Sequence, residues 1–304
     1  MTPKSHHYNP KVYLRQFVSP AAKNELWEFD LREGTARLAS PKACGCEDYY
    51  HSFDTAEGVR DDDSVEKSFV NIENNLPKLF KLIRRQLPIP NDSWGILFLF
   101  AALQRARCPR ALNSMQSGLS QMYAYTFDIM KQTSAFAADI EKMGLDLEAV
   151  RKTKFDITAD RGVTMLMLLS VFADGKLASL FARMQWSFLV APPGLYFWTS
   201  DDPVCCWADR EPDNIFSTMV GPANADVEIT FPLSKRVCAF AAWKSPAKQL
   251  YSIATAEQVK VINDRNIYNG WRFAYGPTNA AEICTLVQNI AKRRQERAQV
   301  KQNT

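Results

Sequence analysis

The chain contains 304 residues, of which 46% are apolar and 23% are charged, and its formal net charge is +4. This composition excludes a disordered or collagen-like protein, and the charge is too small to indicate a nucleic-acid partner on its own. A chain of this length buries about three quarters of its unfolded surface. We therefore predict one domain over residues 1–304. Its parts are an N-terminal segment with a hairpin (1–60), a helical part (61–185), and a sheet with C-terminal helices (186–304).

Membrane and export signals are weak in this sequence. The longest apolar runs, 94–103 and 163–173, are shorter than the ~18 residues that cross a bilayer. Residues 1–7 are polar, whereas a secretory signal has an apolar centre. The seven cysteines are odd in number and lie largely in apolar stretches, which indicates reduced thiols. These patterns predict a cytoplasmic protein with no membrane partner.

The N-terminal part predicts a short helix followed by a β-hairpin. Pro10 favours an extended Asn9 and can begin a helix. Residues 26–31 alternate between apolar and polar, and residues 35–39 follow a turn that ends at Gly34. This pattern is typical of two antiparallel strands.

The middle of the chain is predicted to be helical. From Ser64 to about Gln86, apolar residues recur at steps of three and four. Asp63 and Glu66 predict a capping box at its start, and Pro77 predicts a bend or a break inside it. The next helix is predicted from 93 to about 108, buried on most sides, and two further helical regions from 112–143 and 158–184.

The character of the sequence changes after residue 186. Short aromatic and β-branched segments predict strands at 187–190, 195–198, 227–231, 237–243 and 271–275. Helices are predicted at 257–268 and 280–297. Because strands and helices do not alternate regularly, we predict an α+β fold with a helical layer packed on an antiparallel sheet.

Two of the three histidines are adjacent, His6 and His7, in a segment that Pro10 holds extended. Histidine is both a common metal ligand and a common general base. Neighbouring side chains of an extended chain point to opposite faces, so we expect only one of the pair to face any one site. The alternative is a histidine that bonds to the backbone near a chain end.

Two polar loops carry the other candidate residues. Asp201 lies in a Thr-Ser-Asp-Asp-Pro sequence, which suits a cation or a general base but also caps turns. Arg105, Arg107 and Arg110 lie where a helix is predicted to end. There they either grip a phosphate or complement the negative end of the helix.

Acidic and cysteine residues add weaker candidates. Glu66 is assigned to the helix cap, so Glu73, two turns later, is the acidic site candidate of this helix. Cys44 and Cys46 precede His51 by a few residues, but no second cysteine pair stands at zinc-finger spacing. The sequence also lacks the phosphate-binding loop, dinucleotide, nucleophile-elbow and His-Glu-x-x-His motifs.

A family resemblance is carried by motifs spread over nearly the whole chain. These motifs are His6-His7-Tyr8-x-Pro10, Tyr13-Leu14-Arg15-x-x-Phe17, Tyr49-Tyr50, Glu73, Arg107-x-Pro109, Thr199-Ser200-Asp201-x-Pro203, Pro232-Leu233-Ser234, Asn263 and Arg272-x-x-Tyr275. In this order they resemble the bacterial family called domain of unknown function 4238. The resemblance implies a shared architecture and a common design for His6, Arg107 and Asp201, but no particular reaction.

Two classes of function remain open from the sequence. In the first, His6 or His7, Glu73, Arg107 and Asp201 converge in a cleft and hydrolyse a phosphoester or a nucleic acid, with metal or general-base assistance. The histidine and Asp201 would be ligands or bases, and Arg107 would hold the phosphate. In the second, the protein is a non-enzymatic binding or regulatory module in which these residues form a structural hydrogen-bond network.

Nucleic-acid binding through the basic C-terminal tail is a third, weaker hypothesis. The tail contains a basic run from residue 292 to residue 301, but aromatic residues are not interleaved with it. A solvated helix end accounts for such a run equally well. The sequence identifies no cofactor and no metal.

Overall fold

The computed structural model describes residues 5–208, 221–244 and 249–302. Residues 1–4 of the predicted N-terminal segment and residues 303–304 of the basic C-terminal tail lie outside these ranges. Within them the α-helices are α1 (Lys11–Leu14), α2 (Ser64–Arg84), α3 (Asn91–Arg107), α4 (Pro109–Met130), α5 (Ser134–Lys142), α6 (Leu147–Lys152), α7 (Arg161–Ala173), α8 (Lys176–Ala182), α9 (Ala256–Asn269) and α10 (Ala281–Gln302).

The strands fall into two sheets and two small ribbons. In chain order they are β1 (Ser5–His7), β2 (Leu26–Asp30), β3 (Thr35–Ala39), β4 (Cys46–Asp48), β5 (Phe53–Asp54), β6 (Arg60–Asp61), β7 (Gln185–Val190), β8 (Thr199–Ser200), β9 (Cys205–Trp207), β10 (Glu228–Ser234), β11 (Val237–Ala242), β12 (Tyr251–Ile253) and β13 (Phe273–Gly276). The larger sheet has the order β12-β7-β11-β10-β9, and the smaller has the order β3-β2-β13-β8. The fold is α+β, as predicted.

The predicted N-terminal hairpin is confirmed as β2 and β3, which pair antiparallel from Leu26 opposite Ala39 to Asp30 opposite Thr35. Its turn places Gly34 at a φ of 72°, where a residue with a side chain is strained. The hairpin is extended by β13, which pairs antiparallel with β2 on its other side. The smaller sheet therefore combines β2 and β3, from the N-terminal part of the chain, with β13, which follows α9.

Several local predictions need correction. No side chain caps α2 from Asp63, because the carboxylate of Asp61 accepts the free N–H groups of Asp63 and Ser64 instead. Glu66 is thereby released for another partner. Pro77 does not split α2, which runs continuously through it.

Two strand predictions also differ from the structure. Residues 195–198 form no strand, since the N–H of Trp198 bonds to the side chain of Asn263 rather than to a neighbouring strand. The larger sheet is not purely antiparallel, because β12 pairs parallel with β7.

The main core lies between the helical layer and the larger sheet. Phe100 of α3 meets Phe231 of β10 at a ring-centroid distance of 5.4 Å. Tyr13 of α1 packs against both rings and is fully buried. Its hydroxyl bonds to Thr199 Oγ1 at 2.6 Å and donates to the carbonyl oxygen of Pro232 at 2.7 Å. The N-terminal helix is thus fixed to both sheets.

In the described ranges, no single helix has the length and apolar content to cross a membrane. The bent pair α7 and α8 reaches that threshold only when the two helices are counted together, by length and composition alone.

Candidate metal centre

The N-terminal strand brings His6 to a second histidine. β1 pairs antiparallel with β4, which places His6 opposite Glu47. The chain then turns back through Tyr49, whose φ is 56°, an uncommon value for a residue with a side chain. As a result, the backbone N–H of His51 donates to Nδ1 of His6 at 3.0 Å. The two rings stack with centroids 5.8 Å apart.

Glu66 completes a cluster of three metal-binding side chains. It projects from the first turn of α2, and its carboxylate pairs with Nδ1 of His51. One nitrogen of each histidine, His6 and His51, and one oxygen of Glu66 all lie within 4.8 Å of one another. Both histidines are buried, whereas the Glu66 side chain is 30% exposed. We call these three residues the His-His-Glu cluster.

The electrostatic setting keeps His51 neutral. Burial lowers its pKa below the usual value, although the neighbouring Glu66 carboxylate acts in the opposite direction. A neutral ring that donates from Nδ1 to Glu66 leaves a lone pair on Nε2. That Nε2 atom is buried and makes no hydrogen bond with any described residue. A histidine whose Nδ1 pairs with a carboxylate keeps its Nε2 lone pair available to a ligand.

Arg107 lies beside this cluster at the end of α3. It is fully buried and bonds through Nε to Gln104 at 2.7 Å and through Nη1 to Glu73 at 2.9 Å. The rings of Phe69 and His51 are in contact, and the guanidinium of Arg107 lies 5.1 Å from the Phe69 ring. Its Nη2 atom is buried and has no hydrogen-bond partner among the described residues. The positive charge of Arg107 is near enough to His51 to contribute to the lowering of its pKa.

His7 faces away from the cluster, as expected for neighbouring residues in a strand. Its Nε2 bonds to the carbonyl oxygen of Lys42 at 3.1 Å. Burial, aided by the charge of Lys11, lowers the pKa of His7 to about 4. His7 is therefore a neutral, backbone-bonded side chain.

Asp201 is not among the residues that form the cluster. It is fully buried, and its carboxylate accepts the backbone N–H groups of Trp271, Arg272 and Phe273 at 2.6–2.9 Å. Three such bonds fasten the start of β13 to β8. The environment of Asp201 is that of a structural residue.

The three arginines at the end of α3 point to different partners. Arg105 and Arg110 both bond to the buried carboxylate of Asp202, at 3.3 and 3.0 Å. Of these three arginines, only Arg107 pairs with Glu73. Of the residues predicted for a site, the structure therefore pairs Arg107 with Glu73 and places His6 in the His-His-Glu cluster.

Sequence reasoning missed two members of the cluster. His51 was considered only with Cys44 and Cys46, but Cys46 bonds to the carbonyl oxygen of Lys42 instead. Glu66 was assigned to the helix cap. Two features of the sequence could have indicated the cluster. The chain has only three histidines, and the third, His51, lies 15 residues before Glu66, an acidic residue in the first turn of a predicted helix.

Comparison with known proteins identifies the family of this chain. Searches of curated proteins and of solved structures found no match. The family described as "Protein of unknown function (DUF4238)" matches residues 5–279, which include every residue of the His-His-Glu cluster and Arg107. The chain therefore belongs to the DUF4238 family.

Proposed function

We propose that this protein is a metal-dependent hydrolase, with the metal held by His6, His51 and Glu66. The observation that carries the proposal is that one nitrogen of His6, one nitrogen of His51 and one oxygen of Glu66 lie within 4.8 Å of one another. Two histidines and one carboxylate are a ligand set of catalytic zinc sites. Ligands at zinc-binding distance stand at most about 4 Å apart, so shifts below about 1 Å would close the cluster.

Arg107 supports a phosphoester as the substrate class. Its Nη2 group is a charged donor without a partner, and a phosphate oxygen is the acceptor that a guanidinium binds best. Glu73 holds the other side of the guanidinium and so fixes its orientation. The Glu66 and Glu73 side chains are about one third exposed, so the carboxylates reach the surface, whereas His6, His51 and Arg107 are buried.

Hydrolysis adds one water across a P–O ester bond and releases an alcohol and a phosphate. A metal held by the cluster supplies Lewis-acid chemistry and lowers the pKa of a bound water. His6, His51 and Glu66 would hold the metal, and Arg107 would neutralise charge that develops on the phosphoryl oxygens.

The alternative is a non-enzymatic binding or regulatory module. A chain of buried hydrogen bonds favours it: Arg107 donates to Gln104, Gln104 to Asn9, and Asn9 to the carbonyl oxygen of Ser200. In this alternative, the only role of the network is to fix the N-terminal segment against the core. In that case the cluster is structural and catalyses nothing.

Paired variants of α2 test the proposal. Protein stripped of metal with a chelator is mixed with Zn²⁺ or Mn²⁺, and thermal melting and calorimetric binding are measured. Wild type should gain about 2.7 kcal/mol at a metal concentration 100 times Kd. Glu66→Gln should lose this gain, since its amide is a poor ligand but still accepts from His51. Glu73→Gln, with the same chemical change two turns away, should keep it.

Hydrolysis of bis(p-nitrophenyl) phosphate separates the two functions. The metal-loaded wild type should hydrolyse this phosphodiester, and Glu66→Gln should be at least about 100-fold slower. Metal binding without hydrolysis would favour the non-enzymatic module. If metal binds neither to wild type nor to Glu73→Gln, both the metal site and the hydrolase are wrong.

We also propose a cytoplasmic location, because all seven cysteines are free thiols. Thiol titration of denatured protein, prepared without oxidant, should count seven.

A further inference from the structure

A second region of the molecule is rich in arginine. The turn after β2, the start of α4, the end of α9 with the loop that follows it, and the second half of α10 line a groove of about 910 Å³. Five arginines line it, and we call it the arginine groove. They are Arg32, Arg110, Arg293, Arg294 and Arg297.

Arginines outnumber acidic residues in the lining of the groove. Arg110 pairs with Asp202 and Glu33 also lines the groove, but Arg32, Arg293, Arg294 and Arg297 form no ion pair within 4 Å with a described carboxylate. Arg294 is held by uncharged groups, donating to the carbonyl oxygens of residues 270 and 271. Burial and the charge of Arg110 lower its pKa, as expected where positive charges are crowded. The groove therefore presents a field that attracts an anion.

Aromatic rings lie among these cations in space. The Trp271 ring has the guanidinium carbons of Arg32 and Arg110 at 5.6 and 5.8 Å from its centre. Tyr268 is 40% exposed, and its hydroxyl accepts from Arg293 at 3.3 Å. Neither ring is near the basic tail in the sequence, because both come from the end of α9 and the loop that follows it. Folding therefore supplies the interleaving of aromatic and basic residues that the sequence lacks.

The charges are spread along the groove rather than gathered at one point. Arg293 and Arg297 are one helical turn apart on α10, about 6 Å along its axis. Arg32 comes from a different element, the turn after β2. A single nucleotide places its phosphates at one end, whereas a strand of nucleic acid carries one at every residue. This distribution fits an extended polyanion whose bases stack on exposed rings.

We propose that the arginine groove binds single-stranded nucleic acid. The phosphates contact Arg32, Arg293 and Arg297, and a base stacks on Tyr268. This proposal does not depend on the metal-dependent hydrolase, because none of its residues belongs to the His-His-Glu cluster.

The test is fluorescence anisotropy with labelled 12-residue oligo(dT) and oligo(rU) on the full chain. Three phosphate contacts predict a slope of about −2 for log K against log salt. The double variant Arg293→Ala/Arg297→Ala should bind at least about tenfold more weakly, and its slope should be smaller by about 1.4. Tyr268→Ala should lose about tenfold, whereas Tyr268→Phe, which keeps the ring, should bind like wild type.

The matched control is Arg84→Ala/Arg85→Ala, which removes two exposed arginines at the end of α2, outside the groove. It should leave affinity and salt slope nearly unchanged. Equal weakening in this control, or no binding of either oligonucleotide at 50 mM salt, would overturn the proposal. Binding of ATP without binding of the oligonucleotides would also overturn it. Glu66→Gln should bind the oligonucleotides like wild type. The test of the arginine groove can therefore be interpreted even if the proposed metal site is wrong.

Discussion

Nδ1 of His6 accepts the backbone N–H of His51 across a separation of 45 residues. This bond makes the position of the first strand depend on the loop that follows β4. Because His51 in turn pairs with Glu66, the N-terminal segment is part of the candidate centre and not an appendage. Changes that displace β1 should therefore act on the cluster.

Gly45 offers a way to displace this segment. Its φ is 62°, and a Cβ atom there would lie 2.8 Å from the Cβ of Asn9. Gly45→Ala should lower the free energy of unfolding by about 2–4 kcal/mol, through backbone strain and overpacking together. Denaturant unfolding measures this change.

Gly58→Ala is the control for that substitution. Gly58 has a similar φ of 73°, but nothing lies within 4 Å of its added Cβ. It should show only the backbone strain, about 1 kcal/mol. Equal losses for the two variants would mean that Asn9 can move away without cost.

Asp201 is expected to stabilise the fold rather than to act in the cluster. In Asp201→Asn, the side-chain NH₂ group would face backbone N–H groups that now donate to a carboxylate. We expect a loss of about 1.5–3 kcal/mol at pH 7.5, with metal-induced stabilisation unchanged. A variant as stable as wild type that no longer responds to metal would show instead that Asp201 belongs to the site.

The same carboxyl group predicts a pH dependence. Burial raises the pKa of Asp201 to about 6, against an ordinary value of 3.8. Between these pH values the folded state binds a proton on Asp201 that the unfolded state does not bind. This proton stabilises the folded state fully below the unfolded pKa of 3.8, and the stabilisation is lost as pH rises through 6. The gap in unfolding free energy between wild type and Asp201→Asn should be about 1 kcal/mol wider at pH 5 than at pH 7.5. An unchanged gap would place the folded pKa near its ordinary value.

We propose that the chain is one domain, because Tyr13, Phe100 and Phe231, from its three predicted parts, share one aromatic cluster. It should unfold in one transition, with coincident curves from tryptophan fluorescence and far-ultraviolet circular dichroism. Tyr13→Phe, which keeps the ring but removes the hydroxyl, should shift both curves together by about 1–3 kcal/mol. Separate shifts would show that the parts unfold independently.

Local patterns predicted the fold better than the site. The periodicity of α2 and the alternation of β2 were sufficient to predict those elements, because each pattern depends only on which face of one element is buried. The cluster was harder, because Glu66 occupies a position where helix capping is the usual role and only tertiary contact turns it to His51. Asp201 had the opposite problem. Its loop has the composition of a site, but both of its carboxylate oxygens accept backbone N–H groups from residues 271–273, about 70 residues later.

The hydroxyl of Tyr13 has partners 186 and 219 residues further along the chain. During synthesis, a ribosome must therefore add most of the polypeptide before the helix that follows the histidine pair can dock. Long-range pairing of this kind slows folding and leaves early segments exposed meanwhile. His6 and His7 are translated long before Pro232, yet the hydrogen bonds that fix the adjacent helix α1 can form only after Pro232 has emerged from the ribosome.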